Sequence, residues 1–132
     1  MIDTRTAPYA ATLLRISLGV MFIAHAMLKY LVFTLPGTVK FFESLGLPGP
    51  LAYFTFAAEL IGGVLILGGV YARWVALALV PILLGAAWAH AGNGWVFSAP
   101  NGGWEYPAFL VVIALVVGLL GDGKFALVRQ RR

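Results

Sequence analysis

Four apolar runs, each closed off by glycine, proline or charge, decide what this chain can become. They occupy residues 10–35, 51–71, 74–91 and 106–121, and about 20 helical residues match the roughly 30 Å hydrocarbon thickness of a bilayer. Together they consume most of a 132-residue sequence that is 61% hydrophobic and 11% charged. A soluble domain carries about 25% charged residues, so too few polar side chains remain to cover a water-facing surface. The mean hydropathy of +0.94 agrees. The expected fold class is all-α integral membrane: a single membrane domain over residues 1–132, built as a four-transmembrane-helix antiparallel bundle.

The connections sharpen this picture. Ala24-His25-Ala26 has the look of a signal-peptidase box, but hydrophobicity continues through Leu28 to Leu35, and an uncleaved first span is expected. Pro36-Gly37 opens and Leu47-Pro48-Gly49-Pro50 closes a first outer loop. Inside it Thr38 is placed to cap a short amphipathic helix that Gly46 ends. Phe41, Phe42 and Leu45 lie on one side of that helix, opposite Lys40, Glu43 and Ser44, as suits an element lying along the interface or over the bundle mouth. Only Ala72-Arg73 separates the second and third runs, forcing an antiparallel hairpin. Pro81 inside the third run reads as a tolerated kink. Residues 93–103, rich in glycine and asparagine, form the second outer loop.

The net charge of +4 and the pI near 9.8 are topological and do not point to nucleic acid. Arg5, Arg73, Lys124, Arg129, Arg131 and Arg132 fall on one side, whereas the two opposite loops carry only Lys40. The positive-inside rule then puts both termini in the cytoplasm, in a multi-pass arrangement. Tyr9, Tyr71 and Trp74 at the inner boundary, with Tyr30, Tyr53, Trp95, Trp104 and Tyr106 at the outer one, fit aromatic belts. The basic C-terminal tail suits lipid headgroups. With no cysteine, disulfide exchange, covalent haem and thiolate-held metal are excluded within the chain. No covalent cofactor is expected.

Polar residues left inside the runs carry the functional information, because a charge at the bilayer centre costs about 2.5–3.5 kcal/mol on insertion scales and turns toward the bundle interior. His25 and Glu59 each lie about 12 Å below the outer boundary, taking 1.5 Å of rise per residue. Lys29 follows His25 at i+4 on the same face. His90 ends the third run, and Glu105 opens the fourth, placed to cap it. Arg15 sits near the cytoplasmic end, where it can snorkel or meet the last carbonyls of the second span. Arg15, Gly19, Phe22, His25, Ala26 and Lys29 share one stripe of the first span, and Leu13, Val20 and Leu31 point away from it. Thr55, Glu59, Gly62, Gly63 and Ile66 share a face of the second, while Ala58/Gly62 and Gly85/Ala89 have the small-xxx-small spacing of close helix packing.

Two readings of His25, Lys29 and Glu59 stand side by side. They are either a structural network that fixes helix register or a ligand-anchoring and proton-relay site, with Arg15, Phe22, Trp88, His90 and Glu105 as a second layer. A bis-histidine haem on His25 and His90 is disfavoured, their depths differing by about 9 Å. No metal is expected, since the spacing lacks a paired-ligand helical motif.

Leu14-Arg15-Ile16 with Gly19, Phe22, His25 and Lys29, then FESLGLP at 42–48, AELIGG at 58–63 with Leu67-Gly68, and GWEYP at 103–107 resemble the DoxX family of small membrane proteins. The resemblance implies a four-helix protein of the bacterial cytoplasmic (inner) membrane. Relatives of that family include the membrane subunit of thiosulfate:quinone oxidoreductase and proteins associated with redox stress or quinone detoxification. It marks Arg15, His25, Lys29, Glu59, His90 and Glu105. Many relatives place Gly after the histidine, where this chain has Ala26, a change expected to narrow a cavity there.

The leading expectation is a quinone-linked redox component or accessory subunit, with no catalytic residue assigned. Lys29 and His25 would contact the quinone carbonyls, Glu59 would relay protons, and Phe22 or Trp88 would stack on the ring. Expected partners are the lipid bilayer, a quinone or other lipophilic ligand, and a redox enzyme or a second copy of the chain. The alternative is a small-molecule carrier or an assembly factor for a larger membrane complex, in which the polar network is purely structural.

Overall fold

The computed structural model describes residues 1–96, 98–100 and 102–128. Arg129, Arg131 and Arg132, which contribute to the charge asymmetry, lie outside the described residues. Five α-helices follow one another: α1 (Ala7–Met27), α2 (Leu35–Ser44), α3 (Leu51–Gly68), α4 (Ala72–His90) and α5 (Glu105–Leu120). Among the described residues there is no strand, only an isolated parallel bridge between Val70 and Val128. α1 continues without a break into a π-helical turn, Leu28–Val32, making an apolar helix of 26 residues. α1 with this turn, α3 and α4 are long and apolar enough to cross a membrane. α5 is equally apolar but has 16 residues, roughly 24 Å of rise.

Local chemistry sets the element ends. Both α2 and α3 close in a Schellman pattern, Leu47 N donating to Phe42 O and Val70 N to Leu65 O. The reversing residues are Gly46 at φ +80° and Gly69 at φ +74°, where a Cβ would be strained. α2 begins earlier than the breaker Pro36-Gly37 suggests. Proline sits in its first turn, where no N–H is needed, and Thr34, not Thr38, is the cap, its hydroxyl accepting from Gly37 N at 3.2 Å. Thr38 is buried one turn into the helix, its hydroxyl donating to Thr34 O at 2.8 Å. The α3–α4 hairpin turns on residues 69–71, and Arg73 is already helical.

α1 packs on α3 and α5, α4 packs on the same two, and α2 lies against α3 and the π-helical turn. The four long helices therefore form a ring. Its core gathers Leu18, Phe22, Ile66, Leu79, Leu83, Leu110 and Val117 around the fully buried Ala76 and Ala114. Leu13, Val20 and Leu31, the residues turned away by helical phase, are exposed. The closest helix approach is between α1 and α3: a Cβ on Gly19 would stand 2.8 Å from Leu67 N, and one on Gly63 3.0 Å from Ile23 N. Gly85 of the Gly85/Ala89 pair does not serve this purpose, since nothing lies within 4 Å of where its Cβ would be.

A strap of residues 122–128 closes one end of the ring. Lys124 N donates to Pro8 O at 3.3 Å, Leu127 N to Gly68 O at 3.0 Å and Val128 N to Gly69 O at 3.2 Å. Thr12 adds a hydroxyl bond to Lys124 O at 2.7 Å. Arg15, 2% exposed, donates from Nη1 to Asp122 O at 2.7 Å and from Nη2 to Phe125 O at 3.5 Å. Its acceptors are thus the carbonyls that follow α5 and not the last carbonyls of α3, against whose terminal Gly69 the guanidinium packs.

Candidate functional site

The other end of the ring encloses a cavity of about 880 Å³ to which all five helices contribute, within the range of about 300–1,000 Å³ typical of small-molecule sites. Glu59 and Thr55 reach it from α3, on the face that helical spacing assigns them, and both are buried. Lys29 reaches it from the π-helical turn. Its ammonium stands 2.8 Å from Glu59 Oε2, with side-chain exposures of 18% and 7%. An apolar lining makes this an ion pair in surroundings that screen it weakly.

The wide turn meets α2 through its backbone. Phe33 N bonds to Leu28 O, five residues back, and the Lys29 carbonyl takes the longer branch, 3.4 Å, of the Thr38 hydroxyl bond shared with Thr34 O. A backbone acceptor beside the site thus ties α2 to the end of the first long helix.

His25 lines the same cavity without a direct bond to the pair among the contacts described. Its Nδ1 lies 2.7 Å from Met21 O. A carbonyl can only accept, so Nδ1 carries the proton and in the neutral ring Nε2 is the acceptor. The imidazole stacks on Tyr106 with centroids 5.4 Å apart and planes at 23°, and Tyr106 Oη donates to Met21 Sδ at 3.5 Å. Phe22 is buried in the cavity wall, Trp88 lines it while 58% exposed, and His90 lines it near α2. His90 stacks on Phe41 at 6.4 Å and 25°, with Nδ1 3.3 Å from Asn93 Nδ2. Phe41 thereby holds α2 across the mouth of the ring.

Of the residues singled out by sequence, His25, Lys29, Glu59, Phe22, Trp88 and His90 are brought together. Two are not. Arg15 is at the strap end, outside the cavity. Glu105 begins α5 off the cavity wall, and its backbone N–H donates to Trp95 O at 3.1 Å. Ala26 is fully buried and also off the wall, so it does not narrow the cavity. Sequence reasoning missed Tyr106 and Thr38 as site residues. The signal for Tyr106 was available, because Tyr106, Leu110, Ala114 and Val117 recur at helical spacing on the inward face of α5, one residue out of phase with Glu105. Among the described residues no three His, Cys, Asp or Glu side chains gather as metal ligands.

The DoxX family model matches residues 10–92. The chain belongs to the DoxX family. The matched region runs from α1 through α4, so His25, Lys29, Glu59, Trp88 and His90 fall within the DoxX segment while Tyr106 falls outside it. Family and apolar helices together make this DoxX chain a multi-pass membrane protein. A relative from Bacillus subtilis (strain 168) is named "Putative oxidoreductase CatD" and is 42% identical over 74 residues, which are 56% of this chain and 54% of CatD. The match thus spans about half the length of that relative. No solved structure matches this DoxX chain.

Proposed function

We propose that this protein is a quinone-binding redox component of the bacterial inner membrane, acting as an accessory subunit to an enzyme that supplies or removes the electrons. The observation that carries the reading is the Lys29–Glu59 ion pair set into the wall of an apolar cavity of about 880 Å³. A quinone head group needs a hydrogen-bond donor at a carbonyl oxygen and a group that exchanges protons when the ring is reduced or oxidised. Lys29 is the donor. Glu59 accepts or returns the proton, and His25 offers Nε2 as a second acceptor. Phe22 and Trp88 give the ring apolar faces. The oxidoreductase name of CatD supports a redox setting.

In this reading α5 is the fourth span, its short length met by tilt of its neighbours or local thinning of the bilayer. Arg5, Arg73 and Lys124 belong to the strap end, which faces the cytoplasm with both termini. The cavity then faces the periplasmic half of the membrane. Exposed Tyr9, Tyr71 and Trp74 at the first end and Tyr30, Tyr53 and Trp95 at the other are consistent with two interfaces.

Purified protein titrated with a substituted benzoquinone is expected to show saturable quenching of tryptophan fluorescence, since Trp88 borders the site. Lys29→Met and Glu59→Gln each remove a charged hydrogen-bonding partner, a loss of about 1.5–3 kcal/mol, so affinity should fall by about ten- to a hundredfold. An affinity unchanged in both variants, with helicity retained, removes the assignment.

A further inference from the structure

α3 and α4 interlock where Leu79 sits over Gly62. A Cβ on Gly62 would stand 2.7 Å from Leu79 Cδ1, which leaves no space between the helices there. Pro81 follows within one turn, and from that level toward α2 both helices carry residues that line the cavity and are exposed. Pro81, Gly85 and Trp88 recur at helical spacing along one face of α4, and each is both exposed and part of the cavity wall. Across from them on α3, Phe54 lines the cavity while 64% exposed. Beside Gly85 nothing lies within 4 Å of where a Cβ would stand. Proline removes an N–H and frees the carbonyl of Leu77, the local change that lets a helix lean from its neighbour.

Antiparallel pairing on Gly62 and Leu79 sets Glu59 level with these residues. The polar pair is therefore reached sideways, between two helices of a multi-pass membrane protein, where the neighbouring molecules are acyl chains. We infer that the cavity is entered from within the bilayer through the α3–α4 gap, and that this gap is a subsite for the apolar tail of a lipid-soluble ligand whose compact polar head meets Lys29 and Glu59. The identity of the head rests on the quinone reading above. The route and the tail subsite rest on those exposed, cavity-lining residues.

Two measurements separate the two. The chain has no cysteine, so Thr55→Cys places one thiol on the buried cavity wall. In vesicles, a maleimide carrying a long alkyl chain is expected to label it and a sulfonated, water-soluble maleimide to leave it unmodified. Adding Gly85→Phe, which fills the gap where space is free, should slow the lipid-soluble reagent about tenfold, whereas Leu84→Phe, equally bulky but off the cavity wall, should not. Second, wild-type protein should bind a benzoquinone with an alkyl chain of about ten carbons at least about tenfold tighter than the same ring without it, and Gly85→Phe should abolish that gain. Labelling that is indifferent to Gly85→Phe, or equal labelling by the sulfonated reagent, overturns the inference whatever the quinones do. Gly85-dependent labelling without binding of either quinone overturns the quinone reading and leaves the lateral route standing.

Discussion

Glu59 and Lys29 are each largely withdrawn from solvent, so removing either charge strands the other in an apolar wall. Breaking a buried pair from one side costs about 3–5 kcal/mol, whereas replacing both partners with apolar groups is close to neutral. Lys29→Met and Glu59→Leu are therefore expected to destabilise the protein singly, and the double variant to recover most of the loss. Unfolding in mixed micelles, arranged as a double-mutant cycle, reads the coupling directly; additive losses would show that the two charges do not depend on each other. The meeting of these groups was legible because polar residues in apolar runs have few places to go, although matched depth singled out His25 with Glu59 and the ion pair is made by Lys29, one turn further out. The immediate partners of His25 were not. An apolar run carries no mark that its last turn will widen to π, nor that the imidazole will bond its own helix and stack on Tyr106.

Where helices meet, small residues set how near two backbones come. Gly19 and Gly63 place α1 and α3 against each other's main chain, an obstacle that cannot rotate away as a side chain can. Gly19→Ala should cost about 1–3 kcal/mol by overpacking, while Gly92→Ala, with open space around the added methyl, should stay within about 0.5 kcal/mol. Thermal melts in detergent test the contrast, and equal melting temperatures would refute the close-approach account. Helical phase identified both glycines as part of inward faces, yet the small-xxx-small spacing that selected Ala58/Gly62 also selected Gly85/Ala89. Spacing of small residues reports that an approach is sterically allowed and cannot report whether a neighbouring helix takes it. The start of α2 shows a related limit: Pro36-Gly37 reads as a break, but a proline in the first turn of a helix satisfies the same local chemistry.

At the level of the molecule, the ring of long helices follows from apolar runs and short connections, and three of its members have the length and hydropathy to cross a membrane. The run at 106–121 already marked α5, seen at Glu105–Leu120, but the strap was outside what hydropathy conveys. Residues 122–128 mix glycine, charge and apolar side chains without periodicity, and their structure depends on acceptors and donors contributed by α1 and α3. Arg15→Met deletes the buried guanidinium that holds three of the strap's carbonyls. Hydrogen exchange at Leu127 and Val128 is expected to accelerate strongly in that variant, with exchange at α1 and α3 core amides nearly unchanged. Protection at 127 and 128 equal to wild type would mean that the backbone bonds to Gly68 and Gly69 suffice.

Arg15 and Asp122 are 107 residues apart in the chain, and that separation has a temporal meaning. During synthesis the first helix emerges long before the carbonyls that receive its guanidinium, so throughout translation this cation lacks its final acceptors. Only when residues 122–125 leave the ribosome can the guanidinium meet their carbonyls. Closing of this end of the bundle therefore waits on a segment made 107 residues after the cation it receives.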